Sequence, residues 1–522
     1  MIQRVQICTA TLFILLLNSI FAQDTIALRY SSYIKAATIN KHLSVLASDS
    51  LEGRETAQPG MVKAAKYVSE QFAANGLPPV INNSYFQRIP LANFSKSVFS
   101  LKVGDNMFSS PDDYFISEAP PTASVKAKEI VFAGYGITDS VSGWNDYLNI
   151  DVTGKILLIL EGEPVDKKGN SLISKSELPS SWKSDRSAKL QLARSKKPGF
   201  ILFVGADYKS MAERFTKRVA SNRLMLDTEE NANHTPVAYI SRTTADKFIS
   251  MSGMDLNDHE KAISKKKKFT AQIIPVKTEF SIAMEKTSCT NVLGYLEGSD
   301  LKDEVIVISA HLDHLGKRGD KIYYGADDDG SGSASILTMM EVFAKAKREG
   351  HGPRRSLLFI SFTGEEKGLL GSDYYSDHPI FPMEKTIVDL NIDMIGRVDT
   401  LPHVSKNYTY LIGSDKLSSQ LHRINENANA SCCQLELNYK YNDPSDRERL
   451  YYRSDHYNFA KHNVPVIFYF TGIHEDYHKP TDTIDKIDFE KTSGIVKLVF
   501  NTAWELANRN ERIVVDVVND FK

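Results

Sequence analysis

An excess of charge of one sign is missing from this chain: 63 basic residues stand against 65 acidic ones. Nothing in that balance favours a polyanion, so nucleic acid is excluded as the expected partner. Cysteine is scarce, four residues in 522. Cys8 falls in an N-terminal leader, and the remaining Cys289, Cys432 and Cys433 are an odd number whose spacing matches no zinc knuckle. A disulfide scaffold is thereby excluded, and the three are read as packing residues or one optional bridge, with at least one thiol left over. Long apolar runs are absent beyond the N-terminus. The stretch Ile7 to Phe21 after Arg4 is shorter than the roughly 20 residues of a membrane span. With Ala22 ahead of Gln23 and Asp24 it reads as a cleavable export signal over residues 1–22, although Ile20 stands where a small residue is preferred. The expected address is periplasmic or extracellular. The run Lys265 to Lys268 reads as a solvated loop.

What is present suffices for more than one core. At 522 residues with 42% hydrophobic content, two or more domains are expected. Met61, Ala64, Ala65, Val68 and Phe72 recur at helical spacing and predict a helix from Met61 to Asn75, with Gly76 past its end. The segment before it, holding Glu52, Arg54 and Glu55, reads as a capped polar loop. Between 120 and 263 short apolar runs (Ile130–Phe132, Ile156–Leu160, Phe200–Val204) alternate with turns, which predicts the strands of a small inserted module. Residues 23–119 then form the N-terminal part of a larger domain that resumes at 270–512. From Asn291 onward strand-like and helical stretches alternate, which predicts an α/β sandwich with a mixed, largely parallel central sheet. Ligands of such sheets bind beyond the carboxyl ends of the strands.

Five segments place polar side chains near those ends: AHLDH, GADDDGSG, GEE, NIDMIG and DYHKPTDT. His311 directly follows the run VIVISA, and Asp313 is positioned to take its other ring proton. The loop Gly325 to Gly332 stacks Asp327, Asp328 and Asp329 before a helix; a cap explains one carboxylate, whereas three repel unless a cation neutralises them. Glu365 and Glu366 follow an apolar strand, and their diverging side chains allow one to bind metal while its neighbour faces water. Asp393, flanked by Ile392, Met394 and Ile395, is costly to bury unpaired. His478 lies in a turn after the strand-like VIFYF. Ser454-Asp455-His456 is given a supporting place near the cleft without forming a nucleophilic triad, and His474, Asp327 and Asp329 are read as supporting groups.

Together these residues resemble the M28 family of co-catalytic zinc peptidases, with a motif match from about Asn291 to Asp482. The resemblance implies two Zn²⁺ per chain, one held by His311 and Asp393, the other by Glu366 and His478, with Asp328 bridging. It implies Glu365 as general base acting on water, Asp313 as orienter of His311, and Tyr477 beside the developing oxyanion. Segments VFAGYGI, WNDYLNIDVTGKILLIL and KLQLARSKKPGFILFVG resemble the protease-associated domain, a module found inserted in exported peptidases. The implied activity is that of an aminopeptidase acting on peptides. A carboxypeptidase or dipeptidase on the same metals, with Arg397 as a carboxylate anchor, and a single-zinc glutaminyl-cyclase-like acyltransferase are the alternatives. A non-enzymatic receptor module would be marked by missing ligand positions, and all are filled.

Overall fold

The computed structural model describes residues 24–518 except 221, 254, 267, 268, 403 and 404, so the leader at 1–22 lies outside the described residues. The chain divides into two compact units, one running to Ile89 and resuming at Cys289, the other Pro90–Ser288. The second unit is wider at both ends than the 120–263 segment outlined by its apolar runs.

The first unit begins with helices α1 (Ala36–Leu46) and α2 (Pro59–Ala74). The chain re-enters the first unit along β1 (Thr278–Leu296) and continues through β2 (Leu301–His311), α3 (Gly332–Arg348), β3 (Arg355–Phe362), β4 (Thr386–Ile392), β5 (Tyr408–Ile412), α4 (Ser419–Cys432), β6 (Glu436–Asn438), β7 (Val466–Phe470) and α5 (Phe489–Asn508). The strands lie in the order β1-β3-β2-β4-β7-β5-β6. The four in the middle, β3, β2, β4 and β7, are mutually parallel, while β1 and β5 join antiparallel. This is the mixed, largely parallel sheet of an α/β sandwich.

Why the strands read as continuous apolar runs follows from burial on both faces. Along β2, Ile306, Ile308 and Ala310 point into the core shared with α1, α2, α3 and α5, while Val305 and Val307 point into a second core with Phe362, Tyr375 and Phe459. The helical stripe Met61, Ala64, Ala65, Val68 and Phe72 is buried as its spacing predicts. It crosses the sheet at Gly294, where a Cβ would lie 2.7 Å from the Phe72 ring, so only glycine permits that approach. Arg355, itself buried, donates to the carbonyls of Leu506 and Arg509 and to Glu304, fixing the end of α5 against the start of β3.

The second unit has its own core around a six-stranded sheet. Ile130–Phe132, Ile156–Leu160, Phe200–Val204 and Val237–Ile240 run parallel, with Gln272–Ile274 and Tyr114–Glu118 antiparallel at its edges. Lys265 departs from its expected loop: it lies in the helix Leu256–Lys266, whose charged residues solvate one face while Leu256 and Ile263 are buried. Cys432 and Cys433 are bridged to each other, and Cys289 is a buried free thiol. Among the described residues no helix is long and apolar enough to cross a membrane.

Phe343 of α3 is fully buried against Phe500 and Trp504 of α5. Phe343→Ala is expected to lower the unfolding free energy by about 3–5 kcal/mol, read from denaturant unfolding of the full chain.

Candidate metal centre

The carboxyl ends of the four parallel strands and one turn supply the polar groups. His311 closes β2, Asp393 follows β4, Glu365 and Glu366 follow β3, and His474 and His478 come from the segment after β7. The turn Gly325 to Ser331 lies ahead of α3, and Gly332 has no room for a side chain: a Cβ there would lie 2.4 Å from both the Asp329 carboxylate and the Ile392 carbonyl. That contact sets the aspartate-bearing turn against the end of β4.

Asp328 stands in the middle. Its Oδ1 is 3.3 Å from His311 Nε2, which is also 3.6 Å from Asp393 Oδ1 and 4.0 Å from Glu365 Oε2. Its Oδ2 is 3.2 Å from His478 Nε2, which is 3.1 Å from Glu366 Oε2. One carboxylate thus faces two clusters. The expected ligands His311, Asp328, Glu366, Asp393 and His478 therefore converge, and Glu365 lies beside the first cluster.

His314 is the member that the expected ligand set omits. It is fully buried, with Nδ1 2.8 Å from Glu366 Oε1 and 3.6 Å from Asp328 Oδ2, and groups with them as a potential cation site, as His311 groups with Asp328 and Asp393. Its signal was the second histidine of AHLDH, three residues past the first.

The residues fit a metal ion by an independent criterion. His311 Nε2, both ring nitrogens of His314, Asp328 Oδ2, Glu366 Oε1 and Asp393 Oδ1 are buried and lack hydrogen-bond geometry to any described group, although they crowd within ion-pair distance. Buried polar atoms are normally paired, and converging lone pairs without intervening donors call for a cation. Burial opposes protonation of His478, yet Asp328 and Glu366 outweigh it and carry the imidazole up to about 10. Burial likewise opposes a charged His311, but Asp393, Glu365 and Asp328 raise it well above the ordinary histidine range. Burial itself, reinforced by Glu366, Asp393 and Asp455, pushes Glu365 well above the usual carboxylate range against the pull of His311.

The surrounding hydrogen bonds divide the labour among the three aspartates. Asp327 accepts from Gly396 N (2.6 Å) and meets His474 Nε2 at 3.2 Å. Asp329 accepts from Gly332 N, His311 N and Met394 N, which ties the turn to the start of α3 and to the ends of β2 and β4. Asp482 takes the amides of Asp327 and Asp328 (3.0 and 3.2 Å). Only Asp328 is left to face the clusters. Ser454 donates to Asp393 Oδ2 (2.8 Å) and accepts from Asn391, so it orients a ligand position rather than pairing with His456, whose ring packs on Phe468.

Two expectations are corrected. Asp313 orients His311 through its backbone carbonyl, 3.0 Å from Nδ1; its carboxylate is 3.9 Å away and instead accepts from Thr56 Oγ1 (2.6 Å) and Glu365 N (3.2 Å). Arg397 is largely buried: its Nη2 pairs with Asp476 (3.0 Å) and Glu475 (3.3 Å), while its Nη1 is buried without a hydrogen-bond partner. Tyr477 stacks on His478, ring centroids 3.9 Å apart, and walls that ligand position.

Fold and site together define an α/β protein with a buried histidine-carboxylate metal centre at the carboxyl edge of a parallel sheet. Residues 291–503 match the model of Peptidase family M28. Among curated relatives, a protein of Trichophyton verrucosum named "Probable leucine aminopeptidase" is 30% identical over 211 residues, 39% of this chain and 55% of that protein. A "Probable zinc metalloprotease" of Phaeosphaeria nodorum is 24% identical over 271 residues, 42% of this chain and 52% of the other. The chain spans about half the length of the curated relatives it matches. A solved aminopeptidase from Aneurinibacillus sp. strain AM-1 aligns at a TM-score of 0.49 and 18% identity, covering 94% of this chain and 98% of that one.

Binding of a metal to the folded chain alone stabilises it by mass action, about 2.7 kcal/mol at a free concentration 100 times the dissociation constant. Zinc is expected to raise the melting temperature, a chelator to reverse the rise, and Asp328→Ala to abolish it, all read from thermal unfolding with and without added Zn²⁺. Because the ligands must shed protons first, the rise is expected to shrink as pH is lowered.

Proposed function

We propose that the protein is a co-catalytic two-zinc aminopeptidase, exported on the leader sequence at residues 1–22. The observation that carries this reading is Asp328, whose two carboxylate oxygens face separate clusters of imidazole and carboxylate groups. His311 and Asp393 would hold one zinc, Glu366 and His478 the other, with Asp328 shared; imidazole and carboxylate are suitable zinc ligands. Bound zinc would supply Lewis acidity, lowering the pKa of water and polarising the scissile carbonyl.

The chain's own residues do the rest. Glu365, beside the first cluster, takes a proton from the attacking water as the new carbon–oxygen bond forms. It delivers that proton to the amine nitrogen as the carbon–nitrogen bond breaks. The Asp313 carbonyl holds the His311 ring, and Ser454 holds Asp393. Tyr477 lines the pocket next to His478, where its hydroxyl is proposed to support the oxyanion.

An aminopeptidase is preferred over a carboxypeptidase because the charge of Arg397, the cation suggested for a substrate carboxylate, is already met by Asp476 and Glu475 at Nη2. The shared Asp328 weighs against a single-zinc cyclase. The name borne by the Trichophyton relative supports the same choice. The second unit is read as the protease-associated module on the three segments that resemble it.

Purified protein is expected to release chromogen from free aminoacyl substrates and leave their N-acetylated forms intact, with activity lost to a chelator; cleavage of the blocked forms would contradict an aminopeptidase. Glu365→Gln is expected to retain zinc while turnover falls about 10²–10⁴-fold, measured by elemental analysis alongside steady-state kinetics.

A further inference from the structure

Arg54 lies outside the family-matched segment and is one of the largest fully buried side chains in the protein. A buried guanidinium is costly unless its donors are satisfied. Here all three of its nitrogens are committed to backbone carbonyls. Nε donates to Leu312 O at 2.7 Å, Nη1 to Leu46 O and Tyr324 O at 2.7 Å each, and Nη2 to Gly325 O at 3.0 Å. Leu312 separates His311 from Asp313. Tyr324 and Gly325 lead directly into Asp327 and Asp328. Leu46 ends α1. One planar side chain therefore joins the strand end that carries a histidine ligand position, the turn that carries the shared carboxylate, and the helix behind both.

The backbone around Arg54 is shaped to the same end. Arg54 has φ +52° and Gly53 φ +71°. A Cβ on Gly53 would lie 2.2 Å from the Tyr323 carbonyl, so the loop presses against the same strap. The Arg54 carbonyl accepts from His314 N, and two residues on, Thr56 Oγ1 meets the Asp313 carboxylate. No carboxylate pairs directly with the guanidinium among the contacts described. It sits as a fixed positive charge near Asp328, Asp329, Asp313 and Asp482 while spending its directional bonds on the backbone.

We propose that Arg54 is a positioning residue of the metal centre, setting the distance between the His311 turn and the Asp328 turn so that the two clusters can each hold a zinc ion. This rests on the two-zinc reading above. Lysine keeps the charge but offers a compact ammonium with three donors, which cannot reproduce a planar fork bonded to four carbonyls. Geometry and charge are thereby separable.

The test measures Zn²⁺ affinity of the full-length parent, Arg54→Lys and Arg355→Lys by competition with a chromogenic chelator, together with metal-free melting temperatures and kcat and KM. Arg355 is a buried arginine of similar bonding at the other end of β3, and its variant reports the effect of lost stability alone. Arg54→Lys is expected to fold, to bind zinc at least about tenfold more weakly, and to lose kcat with KM nearly unchanged; Arg355→Lys is expected to melt lower with zinc affinity intact. Equal zinc affinity in Arg54→Lys and the parent overturns the proposal. So does failure of Arg54→Lys to fold, which would make the arginine a core strut, and so does an equal loss of affinity in Arg355→Lys. A parent protein that binds no zinc would instead overturn the two-zinc reading itself.

Discussion

A single carboxylate facing two ways is the constraint on which this structure depends. Around Asp328 the fold buries Asp313, Asp327, Asp329, Asp393 and Asp482, with Glu366 partly buried beside them, within one region of the first unit. Such a concentration of like charge is unfavourable in a low dielectric unless cations or amide donors meet it. The protein answers in two distinct ways. Asp329 and Asp482 accept backbone amides, and Asp327 accepts from Gly396 N and lies within ion-pair distance of His474, which fixes the turn. Asp328, Glu366 and Asp393 are left with lone pairs that converge with imidazoles and have no donors of suitable geometry. The first set builds the site, and the second leaves it open to metal.

The sheet explains why those groups meet. Four parallel strands, buried on both faces, end at one edge, and each delivers its polar residues there just past its last apolar one. Parallel strands align their carboxyl ends by construction, so residues from 311 to 478 become neighbours without any local sequence relation. Turn glycines then make the fine approach possible, Gly332 against the end of β4 and Gly53 against the strap before Asp328.

Much of this was legible in the sequence, and the reasons are specific. The alternation of apolar runs with helical stretches gave the α/β class, because a sheet covered on both faces must be apolar along whole strands. Runs ending in His311, Asp393 and Glu365-Glu366 identified strand ends with chemistry. That Asp327 and Asp329 would be supporting groups was read from three adjacent carboxylates that repel unless a cation meets them. What escaped were relations that depend on three-dimensional register. Asp313 was expected to meet His311 through its carboxylate, but that carboxylate accepts from Thr56 and the carbonyl lies at the ring. His314 was missed because its place beside Glu366 depends on two separate strand ends meeting. Arg54 read as a polar loop residue because its partners are backbone carbonyls, which no side-chain pattern reveals.

The most direct test of the central claim is a crystal structure of the zinc-loaded protein with anomalous diffraction recorded on both sides of the zinc absorption edge. The account requires two zinc peaks per chain, each with one oxygen of Asp328 at about 2.0–2.2 Å. One peak alone, or two peaks that do not share Asp328, would contradict it.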